Sequence, residues 1–209
     1  MENDLTPRDR ILREAIALFA SHGFEAMTMR RLGDAVGLDN SSLYRHFRSK
    51  AALADAVLDH VTGELMATIA AGIDPSRPVT LQAFEDVCAT VGLHFFDRPA
   101  SARLMIHWLM SMGVGGPGFA VSVPATDTSR PAGALMTKFS GWLEAGVRAG
   151  ALRDHAMPEA VVILLGAILL RPATRGYLLA TLEPKRTESS ARAAWEAELR
   201  AAVRGAFAP

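Results

Sequence analysis

Residues 28–50 gather short polar and basic side chains around the start of one predicted helix. Short polar groups at such a position can reach base edges in the major groove of DNA, and four are found there: Asn40, Ser41, Ser42 and Arg45. Around them are hydroxyls, a histidine and cations suited to phosphate oxygens: Thr28, Arg30, Tyr44, His46, Arg48 and Lys50. The types and spacing of these residues predict contact with both bases and phosphates.

Each of these side chains also has an ordinary structural explanation. Tyr44 could help to dock its helix, although two apolar residues of the same helix already supply a docking face. Arg48 and Lys50 could be solvated surface charges. Arg30 and Arg31 are adjacent on a helix and point about 100° apart, so at most one of them faces DNA.

Charge arithmetic supports a local basic patch. The 209 residues carry 22 basic and 22 acidic side chains, which excludes a generally basic coat. Residues 28–50 hold five basic and two acidic side chains, a net charge of +3, which leaves −3 for the remainder. The neutral total therefore conceals a small positive region.

Helices must position these side chains, and cap residues mark their ends. Gly33 and Gly37 supply the small residue and the turn glycine that a helix-turn-helix needs. The predicted N-terminal helices are Pro7–His22, Met29–Val36, a third capped by Asp39 or Asn40, and a fourth capped by Ser49 that continues past Ile69 to Gly72. Further helices are predicted at about Leu81–Asp97, Ala100–Met112, Ala132–Ala149, Glu159–Leu179 and Glu188–Phe207, with residues 113–133 as a loop and no strands.

The motifs resemble the DNA-binding domain of the TetR (tetracycline-repressor) family over about residues 7–62. The resemblance rests on RRLGDAVGL at 30–38, on SSLYRHFRSK at 41–50, which contains Leu-Tyr-x-His-Phe-x-x-Lys, and on Leu53. Beyond residue 62 it is architectural, with EAGVRAGAL at 144–152 similar to the end of the family's seventh helix. Three positions depart from the common pattern, because many members have Lys, Gly and Ala where this chain has Asn40, Ser41 and Gly33.

The resemblance implies an all-α protein with a helix-turn-helix domain (1–62) and a long fourth helix leading to an effector-binding and dimerisation domain (63–209). It implies a homodimeric regulator, usually a repressor, that binds a pseudo-palindromic operator and is released by a small lipophilic ligand. Two heads then enter successive major grooves about 34 Å apart. A regulator without an effector and a helical small-molecule binding protein remain alternatives.

Two further sets of residues are predicted from the apolar C-terminal part. A pocket with polar handles is expected from His94, Phe95, Met105, His107, Trp108, Met112, Phe139 and Trp142, although such residues are also ordinary core. A dimer interface is expected from Ile163, Ala167, Trp195, Leu199, Ala202 and Val203, although these could equally close the monomer core.

Several functions are not expected. The sequence offers no set of nucleophile, base and orienting residue, so we predict no enzyme, and it offers no metal-ligand spacing or cofactor motif. Cys88 is the single cysteine, is expected to be inert core, and indicates a reducing compartment. The acidic N-terminus is unlike a secretory signal, and the longest apolar stretch, Ala160–Leu170, is too short to span a bilayer. We therefore expect a cytoplasmic protein.

Overall fold

The structure, a computed structural model, describes residues 6–72, 77–111, 129, 131–154, 162–181 and 187–209. Within these residues the chain forms nine helices and no strand, which confirms the predicted all-α class. The helices are α1 (Pro7–Ala26), α2 (Met29–Val36), α3 (Asn40–His46), α4 (Lys50–Gly72), α5 (Leu81–Asp97), α6 (Pro99–Ser111), α7 (Pro131–Arg148), α8 (Val162–Thr181) and α9 (Glu188–Phe207).

Side-chain caps set the starts of the first three helices. Thr6 accepts a hydrogen bond from the Asp9 amide at 3.2 Å, and Thr28 accepts one from the Arg31 amide at 3.1 Å. Asp39 caps α3, which resolves the choice between Asp39 and Asn40. The first helix is longer than predicted, because the chain bends at Gly23 (φ 75°) and then continues to Ala26 instead of ending at the glycine.

The turn between α2 and α3 depends on two glycines. Gly37 adopts a left-handed conformation (φ 71°, ψ 31°), which suits a residue without a Cβ. The Leu38 amide donates to the Gly33 carbonyl at 2.9 Å. A Cβ at position 33 would lie 2.7 Å from the Leu38 carbonyl oxygen, so the chain closes over a glycine that has no side chain. The predicted close approach at Gly33 has this physical basis.

The helix α9 packs along α5 within the same chain. The side chains of Trp195 and Leu199 lie so close to Gly92 that a Cβ there would be 2.5 Å from each. Three arginines of α9 pair with three acids of α5, and the order of the pairs shows that the helices are antiparallel. The pairs are Arg192–Asp97 at 3.0 Å, Arg200–Asp86 at 2.6 Å and Arg204–Glu85 at 2.7 Å.

This packing corrects the predicted dimer stripe. Trp195, Leu199 and Val203 are only 6%, 2% and 1% exposed, because they face α5 and the core of their own chain. They are therefore not available to a second copy. Ala202, the fourth predicted residue of α9, is exposed next to the buried stripe and stays a predicted interface residue.

Helix α8 has one buried and one exposed apolar face. Leu164, Ile168 and Leu169 are buried, with a π-helical turn at Gly166–Leu170. Val162, Ile163, Leu170 and Tyr177 are large apolar residues that remain exposed. By length and composition α8 is also the one described helix that could cross a membrane, which is weak support for a span.

Candidate functional site

The carboxylate of Asp39 organises the start of α3. It accepts hydrogen bonds from the Ser41 hydroxyl at 2.7 Å, the Ser42 amide at 2.7 Å and the Ser42 hydroxyl at 3.2 Å. These bonds, that from Ser41 first, lower the pKa of Asp39 below its usual value. The Ser42 hydroxyl in turn accepts from the Arg45 guanidinium at 2.9 Å. Three of the predicted base-reading side chains therefore belong to one hydrogen-bonded network on the helix surface.

The predicted DNA-contacting residues are accessible in the structure. Tyr44 is 49% exposed, whereas Leu43 and Phe47 of the same segment are buried and dock α3 onto the neighbouring helices. The docking explanation for Tyr44 is therefore weaker than the surface explanation. Eight of the predicted residues are exposed and two are partly exposed: Thr28, Arg30, Asn40, Ser41, Tyr44, Arg45, His46 and Arg48 in the first group, Ser42 and Lys50 in the second.

Lys50 differs from the other cations because it folds back onto its own chain. Its ammonium group donates to the Glu25 carbonyl at 3.1 Å and lies 4.4 Å from the centre of the Phe24 ring. The side chain thus ties the start of α4 to the end of α1. This tethering role was not predicted from the sequence, because Glu25 lies 25 positions earlier in the chain.

A cavity of about 780 Å³ lies within the helices that follow the head. Four of the predicted pocket residues line it: Phe95, Met105, Trp108 and Trp142. The lining that sequence reasoning missed comes mainly from apolar side chains of α4, α5 and α8, among them Leu65, Met66, Ile69, Val87, Val91, Leu164, Leu165, Ile168 and Leu169, together with the hydroxyl-bearing Thr62. It also includes two cations, Arg77 and Lys138.

The two histidines that were predicted to line the pocket do not line the cavity in the structure. His94 is buried beside the cavity but does not line it; its Nδ1 lies 3.1 Å from the Thr68 hydroxyl and 3.4 Å from the Arg98 guanidinium. Burial, and next the charge of Arg98, lower the pKa of His94. His107 is exposed, because it lies on the outer face of α6. Met112 and the side chain of Phe139 lie outside the described residues.

Cys88 lies in the cavity wall and is not merely core filling. Burial raises the pKa of its thiol to about 12, and the negative charge of Glu85 adds to the effect. Among the described residues, no three His, Cys, Asp or Glu side chains come together as metal ligands would.

The head is a three-helix unit with a tight glycine turn and an exposed polar helix, and an α-helical body follows it. This arrangement defines a helix-turn-helix DNA-binding protein. Residues 11–57 match the family described as "Bacterial regulatory proteins, tetR family". The HTH-type transcriptional repressor KstR2 of Rhodococcus jostii (strain RHA1) is 32% identical over 151 residues, 70% of this chain and 68% of the relative. The chain therefore belongs to the TetR family and is a DNA-binding transcriptional regulator.

Other similarities agree with this assignment. The Escherichia coli tetracycline repressor protein class C is 38% identical over 52 residues, 25% of this chain and 24% of the relative. A solved structure of KstR2 of Mycobacterium tuberculosis has a TM-score of 0.68 and 17% identity, with 98% of this chain and 96% of that chain covered. A TetR family regulator from Marinobacter aquaeolei VT8 has a TM-score of 0.71 and 14% identity, with 97% and 96% covered. These two structures share the fold with this chain.

Proposed function

We propose that this protein is a homodimeric repressor that binds its operator through residues 1–62 and is released when a small lipophilic molecule enters the body, residues 63–209. In this proposal α3 lies in the major groove, with the Asp39 network fixing the direction of the base-reading side chains. Tyr44 and Arg48 reach phosphates from the same surface. The name of the Rhodococcus relative, a transcriptional repressor, supports repression as the mode of regulation.

One observation carries the coupling between ligand and DNA: the single helix α4 belongs to both parts. At its start Leu53 and Val57 are fully buried beside the head helices, and at its end Leu65 and Ile69 line the cavity. A molecule that displaces the cavity end of α4 therefore moves the part of the helix on which the head is mounted. If a bound molecule favours one position of α4, the distance between the two heads of the dimer changes. Fewer dimers then have the spacing that fits DNA.

A second route runs in parallel, because α1 of the head packs directly against α6. Helix α6 supplies Met105, Trp108 and Leu109 to the cavity wall. Two helices that touch the cavity thus also touch the head, which favours a rigid-body response over the unfolding of a linker.

The exposed face of α8 is the surface that we assign to the dimer. Ile163, Leu170 and Tyr177 are large apolar side chains that this helix leaves exposed, before, at the end of and after its π-helical turn. Ala167, one of the predicted interface residues, is partly exposed between the first two. Pairing α8 with its symmetry mate would cover this apolar stripe, whereas a lone chain leaves it in water.

Operator binding is tested by fluorescence anisotropy on the DNA that flanks the protein's own coding region. We expect Tyr44→Ala and Ser41→Ala to weaken binding, and His107→Ala, an exposed change on α6, to leave it unchanged. Loss of a base contact typically costs about 1–3 kcal/mol. Binding that survives both head substitutions at full strength would contradict the assigned surface.

The dimer is tested by sedimentation of the full chain. Leu170→Glu places a charge in the middle of the exposed α8 stripe and is expected to yield monomers, since a desolvated unpaired carboxylate is strongly unfavourable. Arg148→Glu, an exposed change at the end of α7, is the matched control. A Leu170→Glu protein that remains dimeric would require another interface.

A further inference from the structure

The charged side chains in the described lining of the cavity have one sign. Among the described residues that line it, the charged ones are Arg77, in the segment before α5, and Lys138, on α7. Both side chains are exposed, so they stand where the cavity meets solvent and not at its apolar end. Asp and Glu are absent from this described lining. In the described lining, the charged groups at the mouth are therefore cations, and the interior is apolar.

Three acids of the surrounding helices are directed away from the cavity. On α5 the cavity face carries Cys88 and Val91, while Glu85 and Asp86 face the arginines of α9. On α4 the carboxylate of Glu64 lies 3.5 Å from His60 and 3.7 Å from Arg98, outside the lining. These carboxylates are already held by basic partners, so they do not neutralise the mouth.

Lys138 has no ion-pair partner among the residues that the structure describes. A solvated lysine at the rim of an apolar cavity can extend its methylene groups along the apolar surface and present its ammonium to a bound molecule. A carboxylate on that molecule would meet a positive potential that the rest of the lining does not offset.

We propose that the effector is an amphiphile with one anionic end: a bulky apolar body in the cavity and a carboxylate at the mouth, beside Lys138. This inference rests on the proposed ligand-released function and specifies the ligand class of the same cavity. The apolar body packs against Trp108 of α6 and Trp142 of α7, which both line the cavity. The volume of about 780 Å³ is within the usual range of small-molecule sites, roughly 300–1,000 Å³.

The test compares two probes that differ only in charge. The first is 11-(dansylamino)undecanoic acid, whose fluorescence rises in apolar surroundings, and the second is its uncharged methyl ester. Both are titrated into the full-length protein at low and high salt. We expect the acid to bind about fivefold more tightly than the ester at low salt, the upper end of the range for an exposed charge pair, and this preference to shrink as salt is added.

Variants then locate the charge effect. Lys138→Gln is expected to weaken binding of the acid about fivefold and to leave binding of the ester unchanged, since only the acid carries the charge that Lys138 meets. Lys138→Arg keeps the charge and should retain the preference. Arg148→Gln removes an exposed cation from the same helix outside the lining, and should alter neither probe.

Three outcomes would overturn the inference: no binding of the acid, equal affinities for the two probes, or a loss on Lys138→Gln that both probes share. Operator release is measured separately, by adding the acid to the protein–DNA complex. Charge-selective binding without release would leave the ligand class intact and contradict the proposed coupling. If the two probes bound with equal affinity and released the operator at equal occupancy, the proposed coupling would stand and the proposed ligand class would be contradicted.

Discussion

The head consists of α1 to α3 with the start of α4, and the body consists of the helices behind it. The two regions differ in how tightly their cores are packed and in whether their charged side chains face solvent or pair with one another. In the head the core is closed, with Phe19, Leu32 and Leu43 at 0% exposure, and the charges of α3 face solvent. In the body the helices surround a cavity of about 780 Å³, and the arginines of α9 are held by acids of α5.

The difference suits the two kinds of recognition that we propose for this chain. A surface that reads DNA must present its side chains in a fixed arrangement, and a tightly packed core holds that arrangement. A site that receives an apolar molecule needs unfilled volume, and the interhelical ion pairs along α5 and α9 hold the surrounding helices together without filling it.

The largest expected contrast is in stability. Leu32→Ala removes a fully buried side chain from the closed core of the head and should lower the free energy of unfolding by about 2–5 kcal/mol. Leu165→Ala removes a partly exposed side chain from the wall of an existing cavity and should cost about 1 kcal/mol. Urea denaturation at one protein concentration measures both. Equal losses would mean that the body is packed as tightly as the head.

The next contrast separates an arginine of the DNA surface from an arginine whose partner is a buried acid. Arg45→Ala should weaken operator binding by about 1–3 kcal/mol and leave the melting temperature unchanged, because its side chain is exposed and its hydrogen bond is to the partly exposed Ser42. Arg204→Ala should do the opposite: it strips the bidentate partner from the Glu85 carboxylate, which is 1% exposed, and so lowers the melting temperature. Anisotropy and thermal unfolding distinguish the two. The comparison would be wrong if Arg204→Ala weakened operator binding and left the melting temperature unchanged.

A smaller effect is expected from pH. Burial lowers the pKa of His94 in the folded body, so the unfolded chain binds more protons on this residue as the pH falls. Stability should therefore decrease as the pH falls through the unfolded value of about 6.5. His94→Gln should flatten the decrease, measured as unfolding free energy between pH 7.5 and 5.5. His107→Gln, at an exposed position of the next helix, controls for loss of a histidine; an equal flattening in that variant would contradict the assignment.

The smallest effect concerns a single phosphate contact. Arg48→Ala should reduce the slope of log affinity against log salt by about one unit for each head that binds, with little effect on which sequence is preferred. The same measurement on Lys50→Ala is a useful companion, because Lys50 also ties α4 to Glu25 and Phe24. That variant should lose stability as well as salt dependence. An unchanged slope for Arg48→Ala would remove it from the DNA surface.

The sequence predicted the head well because its decisive contacts are local. The Asp39 cap joins residues two and three positions apart, and the turn joins Gly33 to Leu38. Such contacts follow from cap and turn chemistry, which short motifs record. The exception is Lys50, whose partner Glu25 lies outside the motif.

The body was less predictable because its contacts join distant segments. Trp195 lies against Gly92 and Arg204 pairs with Glu85 119 positions away, so no local pattern shows whether α9 faces its own chain or a second copy. The pocket prediction found Phe95, Trp108 and Trp142 because large apolar residues are natural lining. It was wrong for His94, adjacent to Phe95, because one residue turns a helix by about 100° and moves the side chain off the cavity face.

The position of Cys88 bears on whether binding is reversible. A thiolate in the wall of a ligand cavity would attack any electrophilic carbon that entered and would hold the molecule permanently. With its pKa raised to about 12, the Cys88 sulfur stays protonated at neutral pH and is a poor nucleophile. An occupant can therefore leave chemically unchanged. The same chain can then respond to a rise and a later fall of one compound without being resynthesised.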